Sequence, residues 1–194
     1  NFPGENGVVR YGEGVLMGYR WYEARHLPTR FPFGHGLSYS SFALGAPAVS
    51  SPTFRPGTDD TLTIDVPVRN TGDRRGAEVV QAYVAPPTPT RLTRPPKELR
   101  AFAKLWLGPG EEGVARLTLD SRAFAYWEPG QPDRPDVDAQ MALLPMNAGR
   151  RRGTPGWQVD PGTYRVLVGR SSADIAHEVE VTVEAEAAST PPPR

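Results

Sequence analysis

The sequence predicts a mainly β fold, an antiparallel sandwich of about seven strands. Between residues 61 and 184, apolar and polar residues alternate with a period of two in several short runs, as they do in half-buried strands. Gly, Pro, Asn and Asp separate these runs and supply turn signals. The same part of the chain shows no apolar pattern of helical period, so strands are favoured over helices throughout it.

The clearest strand covers residues 62–68, where alternate residues are Leu62, Ile64, Val66 and Val68 and the sequence Asn-Thr-Gly follows at 70–72. Pro67 lies on the opposite face and has no N–H to donate, which predicts an edge strand or a position whose N–H side points outward. Further strands are predicted at residues 77–85, 97–107, 113–120, 162–170 and 176–184, with turns at 107–112 and 159–164 ahead of two of them.

The first forty residues follow a different pattern. Apolar residues from Val15 to Tyr22 have the spacing of a short amphipathic helix within residues 14–25, although Gly18 weakens it by about 1 kcal/mol relative to Ala. Aromatic residues are more frequent here than so short a segment can bury against itself, so we expect them to need another surface. We therefore expect residues 2–42 to be poorly stabilised and to exchange their amide hydrogens rapidly, in contrast to residues 62–68.

The composition excludes several classes of protein. Its 194 residues allow one core with additional segments. The 22 Lys and Arg balance the 22 Asp and Glu, and we expect no nucleic acid and no membrane as partner. The absence of cysteine excludes disulfides and thiolate chemistry, and no run reaches the roughly 20 apolar residues of a membrane helix. The start at Asn1, without Met, suggests a fragment of a longer protein.

Three segments fall outside the predicted strands. Residues 121–127 are interpreted as a short bridge between sheets. Residues 128–156, rich in Pro, Asp, Gly and Arg, are interpreted as an inserted loop. Residues 186–194 have almost nothing to bury, so we expect a disordered tail.

Several motifs resemble the C-terminal part of glycoside hydrolase family 3 β-glucosidases. The end of the α/β sandwich domain of those enzymes is similar to EGVLMGYRWYEA and FPFGHGLSYSSF. Their closing fibronectin type III-like domain, an immunoglobulin-like sandwich, is similar to VPVRNTGDRRGAEVVQAYVAPP, RPPKELRAFAKLWLGPGE, LTLDSRAFAYW and VDPGTYRVLVGRSSADI. The resemblance covers nearly the whole chain. It implies a remnant of the α/β domain with a linker at 1–41 and a fibronectin type III-like domain at 42–185.

The resemblance also implies where the chemistry lies. Family 3 enzymes are retaining glycosidases, which use a nucleophilic carboxylate and an acid/base carboxylate about 5 Å apart. In the family the nucleophile is an Asp of the N-terminal barrel and the acid/base is usually a Glu of the α/β domain, and neither motif is in this chain. We expect no catalytic, cofactor-binding or metal-binding residue here. The implied partners are the barrel and α/β domains, with a β-glucoside bound only by the intact enzyme.

The turn Gly34-His35-Gly36 stands between aromatic residues and allows two interpretations. His35 could act as a general base, because histidine titrates near neutral pH. We favour a structural corner, in which the glycines permit close backbone approach and Phe31, Phe33, Leu37 and Tyr39 pack the hinge between two domains.

Other candidate residues have plain structural interpretations. His26 and His177 lack neighbours at metal-ligand spacing, so no zinc site is expected. Glu98 or Asp120 could be half of a carboxylate pair, but surface or capping roles are favoured. Three acidic residues of the inserted loop could hold Ca²⁺: Asp133, Asp136 and Asp138. Three arginines of the same loop could contact an acidic partner: Arg150, Arg151 and Arg152. A solvated loop is favoured over both sites.

The four tryptophans offer a further choice. Trp21, Trp106, Trp127 and Trp157 could stack on sugar rings, since an aromatic face fits the apolar face of a pyranose. We favour packing instead, in the core or between domains, because such rings carry much of the burial energy of a small sandwich.

Three functional hypotheses follow. The first is a supporting C-terminal domain of a β-glucosidase that hydrolyses terminal β-linked glucose. The alternative is a stand-alone β-sandwich module that binds carbohydrate or protein. A third hypothesis is that the loop at 128–156 reaches the active site of the intact enzyme and adjusts substrate choice.

Overall fold

The computed structural model describes residues 4–57, 61–90, 92–130 and 155–185. Most of the predicted inserted loop, with its Asp and Arg candidates, and the predicted tail lie outside these ranges. The helices are α1 (Tyr19–Ala24) and α2 (Ser121–Phe124). The strands are β1 (Phe42–Leu44), β2 (Ala48–Val49), β3 (Thr53–Phe54), β4 (Leu62–Asn70), β5 (Gly76–Ala85), β6 (Glu98–Leu107), β7 (Glu112–Leu119), β8 (Tyr126–Glu128), β9 (Gly156–Gln158), β10 (Gly162–Gly169) and β11 (Ile175–Val183).

Two sheets and a separate ribbon contain these strands. In the first sheet β4 lies between β7 on one side and β1 and β2 on the other. The second sheet has the order β3-β11-β10-β5-β6, and β8 pairs with β9 in the ribbon. The pairs of described strands are antiparallel except for β3 with β11, which run parallel over two residue pairs. The mainly β fold is therefore confirmed, with one short parallel pair that the sequence did not predict.

The core lies between the two sheets. Alternate residues of β4 are buried, as the period of two predicts, and they pack with the inward residues of the second sheet in one apolar cluster. The cluster includes, at 0% exposure, Ile64, Val66, Val80, Val166, Val168 and Val181. Burial of a Val, Leu or Ile side chain contributes about 1.5–3 kcal/mol, so this cluster is the main source of stability.

The six predicted strands are all present, with ends shifted by no more than two residues. Of the two alternatives that Pro67 predicts, the edge strand is wrong, because β4 has neighbours on both sides, and the outward nitrogen agrees with the structure. The Pro67 carbonyl accepts from the Gly45 N–H at 2.8 Å, and N and O of one strand residue point to the same side. The prolyl nitrogen therefore faces the gap between β1 and β2, where no ladder donor is needed.

The helix is shorter than the spacing predicts. It begins at Tyr19 because Gly14 and Gly18 both adopt a positive φ of 57°, which is incompatible with a right-handed helix. Residues 121–127, predicted as a bridge, contain α2, and Asp120 caps its first turn by accepting from the Ala123 N–H at 3.1 Å.

The turn after β4 is organised by a buried amide. The Asn70 side chain is fully buried and donates to the Arg74 and Leu107 carbonyls at 2.7 and 2.9 Å. Its oxygen accepts from the Gly72 N–H and the Ser40 hydroxyl. Asn70 thus closes the Asn-Thr-Gly turn and also fixes the chain that enters β1.

Tyr164 forms a tyrosine corner of the kind found in β-sandwiches. Its ring is fully buried, and its hydroxyl donates to the Asp160 carbonyl, four residues upstream, at 3.0 Å. Burial raises the pKa of the phenol, which keeps it a donor.

Replacing Tyr164 with Phe should lower the free energy of unfolding by about 1–2 kcal/mol, because the partly buried Asp160 carbonyl loses its donor. Tyr39→Phe is the matched control, since Tyr39 is 95% exposed and the same atom is removed. Urea unfolding of both variants measures the difference. Equal midpoints would show that the corner hydrogen bond does not stabilise the fold.

Candidate interdomain junction

Helix α1 lies against the beginning of β6. Arg20 Nη2 is 2.9 Å from Glu98 Oε1, and Lys97 Nζ is 3.0 Å from Glu23 Oε2. Partly exposed ion pairs of this kind contribute at most about 1 kcal/mol each. Their effect is mainly to set the position of α1 along β6.

A β-bulge in β6 provides a further attachment point for α1. Ala101 pairs with Ala82 and Leu99 pairs with Tyr83, so Arg100 is an extra residue in β6. The Leu99 N–H near the bulge donates to the Tyr19 hydroxyl at 3.0 Å. The first residue of α1 therefore satisfies a backbone donor of the sandwich.

A third attachment is made by the Gln81 amide on the outer face of β5. Gln81 is 4% exposed, and its nitrogen donates to the carbonyls of Gly34 and Arg170. Its oxygen accepts from the Tyr83 hydroxyl. One amide thus joins the upstream segment, β5 and the end of β10, with both donors and an acceptor used.

Aromatic rings cover this hydrogen-bonded group. Tyr19 stacks on Phe33 with ring centroids 4.2 Å apart, and Tyr83 meets Tyr19 edge-on at 6.4 Å. Burial, with smaller contributions from Tyr19 and Glu23, raises the pKa of the Tyr83 phenol, which therefore remains protonated and donates. The Ser172 N–H donates to the Phe33 carbonyl at 2.8 Å and adds a second backbone contact from the β10–β11 turn.

The glycine turn in this segment is explained by Gly34 alone. Gly34 has a φ of 82°, and a Cβ at this position would collide with the Gln81 side chain. Gly36 has open space around its Cα and no positive φ. The predicted close backbone approach is therefore confirmed at Gly34 and not at Gly36.

The chain then forms an arch over residues 35–39 before it docks again at Ser40. Leu37 and Tyr39 are 93% and 95% exposed within this chain, as expected of residues that need another surface, so their packing of the hinge stays a prediction. Phe33 does pack, against Tyr19, whereas Phe31 contacts the His35 ring at 5.2 Å and is 65% exposed.

Arg170 anchors the start of β1 to the second sheet. Its Nη2 donates to the Phe42 carbonyl at 2.9 Å, and its other nitrogens face Glu78 at 3.4 Å and Asp174 at 3.0 Å. Burial raises the pKa of the Glu78 carboxyl, although the Val79 N–H and Arg170 oppose that shift.

The histidines and carboxylates singled out in the sequence have structural surroundings. His35 is exposed, and the His177 Nε2 atom lies 3.2 Å from the Leu44 carbonyl. The Glu98 carboxylate contacts Arg20 and Arg100, at 2.9 and 2.6 Å. Asp120 caps α2, as described above, so the capping role is confirmed.

Within the described ranges, no group of three or more His, Asp or Glu side chains is placed to hold a metal ion. The candidate calcium ligands at 133–138 and the arginine run at 150–152 lie outside those ranges. No helix of the described residues has the length and apolar character needed to cross a bilayer.

Of the two packing sites favoured for the tryptophans, the core is wrong for three of them, and packing between domains stays a prediction. Trp106, Trp127 and Trp157 are 57%, 51% and 48% exposed. Two cations lie over the Trp106 ring, those of Arg75 and Lys104, at 5.3 and 5.2 Å from the ring centroid. Trp21 is half-buried under the Arg25 guanidinium at 4.6 Å.

Comparison with known proteins agrees with this architecture. A fibronectin type III-like domain model matches residues 78–138. A β-glucosidase of Rhizobium radiobacter is 41% identical over 183 residues, which are 93% of this chain and 19% of that protein. The crystal structure of a GH3 β-glucosidase of Bifidobacterium adolescentis superposes with a TM-score of 0.73 at 38% identity, over 94% of this chain and 23% of that one.

The chain corresponds to the C-terminal region of family 3 glycoside hydrolases. In these enzymes the fibronectin type III-like domain is a non-catalytic part. An exo-α-(1→6)-L-arabinopyranosidase of Bifidobacterium breve matches 98% of the chain at 38% identity. The chain spans about a fifth of the length of the curated relatives it matches.

Gly34→Ala should lower the free energy of unfolding by about 1–3 kcal/mol, because it strains a left-handed residue and displaces the buried Gln81 amide. Gly36→Ala is the matched control two residues away and should stay within about 0.5 kcal/mol of the parent chain. Urea unfolding followed by tryptophan fluorescence measures both. A Gly34→Ala midpoint equal to that of Gly36→Ala would contradict the role given to this contact.

Proposed function

We propose that this chain is the supporting C-terminal region of a glycoside hydrolase of the β-glucosidase type. The activity of the whole enzyme would be hydrolysis of terminal β-linked glucose. The observation that carries the proposal is the nearly complete match of this chain to one fifth of much longer enzymes. The β-glucosidases of Rhizobium radiobacter and Bifidobacterium adolescentis support the substrate class.

In this proposal the reacting carboxylates lie on domains other than this one. A retaining glycosidase needs its two carboxylates about 5 Å apart, with errors well below 1 Å. A rigid sandwich that packs against two catalytic domains limits their relative movement, and so preserves that spacing without contact with the substrate. The docked segment at 19–34 is suited to this role because it connects the sandwich to the chain that precedes it.

We assign the domains as residues 1–41 for the end of the α/β domain with its linker and 42–185 for the fibronectin type III-like domain. The contacts of Tyr19 and Gly34 support a refinement, since they attach residues 19–34 mechanically to the second domain. In this assignment the linker is attached to the sandwich through residues 19–34 and does not act as a free hinge.

The partners in this proposal are an N-terminal barrel and an α/β sandwich domain. Most exposed bulky apolar residues of the described chain lie upstream of β1, including Tyr11, Tyr22, Leu37 and Tyr39. An open depression of about 490 Å³ lies in the same region, lined by Gly12, Glu13, Leu16, Gly18, Trp21 and Tyr22. Exposed apolar surface of this extent is typical of an interface, and it lies where the preceding domains would join the sandwich.

In this proposal, residues outside this chain determine which terminal sugar the enzyme recognises. The matched region is shared by proteins named β-glucosidase and exo-α-(1→6)-L-arabinopyranosidase, at 41% and 38% identity. A region common to enzymes with different named substrates supports scaffold function rather than recognition of the terminal sugar.

The purified chain should not hydrolyse 4-nitrophenyl β-glucoside above the buffer blank, because the proposal places both reacting carboxylates elsewhere. Release of 4-nitrophenol over hours at high protein concentration is the measurement. Turnover that survives repurification would mean that the chain carries its own pair of carboxylates, and the proposal would fail.

The supporting role has a separate control. Replacing Leu37 and Tyr39 with Ser should leave the unfolding midpoint of the isolated chain unchanged, since both side chains are almost fully exposed. In the intact enzyme the same double variant should lower the temperature of thermal inactivation. An equal effect in both proteins, or none in the enzyme, would contradict docking through the arch.

A further inference from the structure

The β8–β9 ribbon carries two tryptophans that the supporting role does not use. Trp127 and Trp157 are directly opposite each other in the antiparallel pair, so their side chains leave the same face. Their ring centroids are 5.4 Å apart and the ring planes meet at 69°. The two indoles therefore form a corner, which we call the indole corner, with both rings about half exposed.

The indole corner is held in place from beneath. On the opposite face of β8, Tyr126 and Glu128 are 9% and 5% exposed. The Tyr126 hydroxyl donates to Asp160 Oδ1 at 3.1 Å, and the Arg94 guanidinium lies 4.9 Å from the Tyr126 ring. A preformed aromatic surface of this kind loses little conformational entropy when it binds.

An arginine side chain contacts one of the two indoles of the corner. The Arg122 guanidinium of α2 lies 3.2 Å from the centroid of Trp157. The guanidinium therefore covers one face of Trp157, holds that indole plane and brings planar N–H donors to the corner. The arrangement combines exposed indole surface with hydrogen-bond donors beside it.

The exposed area limits what the corner can bind. An aromatic side chain buries about 150–250 Å², so two half-exposed indoles present about 200 Å². A stable protein interface buries about 800 Å² on each partner, which is several times more. A ring-sized ligand fits the corner better than a protein surface does.

The net charge of the chain also narrows the class of ligand that the corner could bind. Proteins that stack nucleobases on aromatic side chains combine them with a positively charged groove, whereas this chain has a net charge of zero. A pyranose has one apolar C–H face and a rim of hydroxyl groups, which match an exposed indole face and the guanidinium beside it. We propose that the indole corner binds a pyranose ring of a β-glucan chain, as a carbohydrate site separate from the catalytic centre.

This inference rests on the proposed function only for the choice of a β-glucan. In that setting, a non-catalytic domain with such a site would hold a longer substrate near the enzyme and raise its local concentration. The binding itself needs no catalytic domain, so it is tested on this chain alone.

The experiment titrates the purified chain with cellopentaose and, separately, laminaripentaose, with isothermal calorimetry as the readout. Saturable binding is expected with at least one of the two. Trp127→Ala and Trp157→Ala should each weaken it at least tenfold, and Trp127→Phe should retain most of it because a ring face remains. Trp106→Ala is the matched control, since Trp106 is equally exposed but lies on β6, and it should change the affinity less than twofold.

Three results would overturn the inference: no heat of binding with either oligosaccharide, equal losses in Trp106→Ala and Trp127→Ala, or self-association of the chain that Trp127→Ala abolishes in sedimentation. Circular dichroism of each variant confirms that the sandwich is folded before binding is compared. A negative result in the binding experiment does not change the prediction that the chain hydrolyses no aryl β-glucoside, so the two proposals can fail independently.

Discussion

The Gln81 amide is the interaction on which the upstream half of this structure depends. A buried amide is costly unless its donors and acceptor are all satisfied, and leaving one buried group unpaired costs about 1–3 kcal/mol. At Gln81 the partners come from three separated parts of the chain, the glycine turn, β5 and the end of β10. The requirement to satisfy one side chain therefore fixes where the segment at 19–34 lies.

This constraint explains why residues 19–34 are docked on the sandwich while residues 35–39 are exposed. Tyr19 and Phe33 stack above Gln81, while Leu37 and Tyr39 extend from the arch with almost no contact. Rings that pack below the arch attach it to the sandwich, and rings at its tip remain free for another surface. The supporting role that we propose would use both properties, a docked base and an exposed contact area.

The strands could be predicted because the alternation of apolar and polar residues within each strand shows which of its faces is buried. Ile64 and Val66 lie on the core face of β4, as the period of two requires, and the turn at Asn70 follows from its sequence. The role of Gln81 could not be predicted in this way. A polar residue at an outward position of a strand normally faces solvent, and only the segment some 47 residues upstream makes it buried.

The tryptophans show a second case in which local sequence patterns do not predict burial. The sequence favours packing of Trp127 and Trp157 in the core or between domains, yet within this chain they pair with each other on a ribbon whose second strand lies far along the chain. The pairing of β8 with β9 is non-local, and the residues between them give no alternating signal. Local patterns predict which face of a strand is apolar but not whether another part of the chain covers it.

Hydrogen exchange at two backbone amides tests the central claim most directly. The Ser172 N–H donates to the Phe33 carbonyl and the Leu99 N–H donates to the Tyr19 hydroxyl, so both sandwich amides report on the docked segment. We expect strong protection of both amides in the native chain, and loss of that protection in Gln81→Leu while amides in the centre of β4 stay protected. Exchange of Ser172 and Leu99 at the rates of an unstructured peptide in the native chain, with β4 protected, would contradict it.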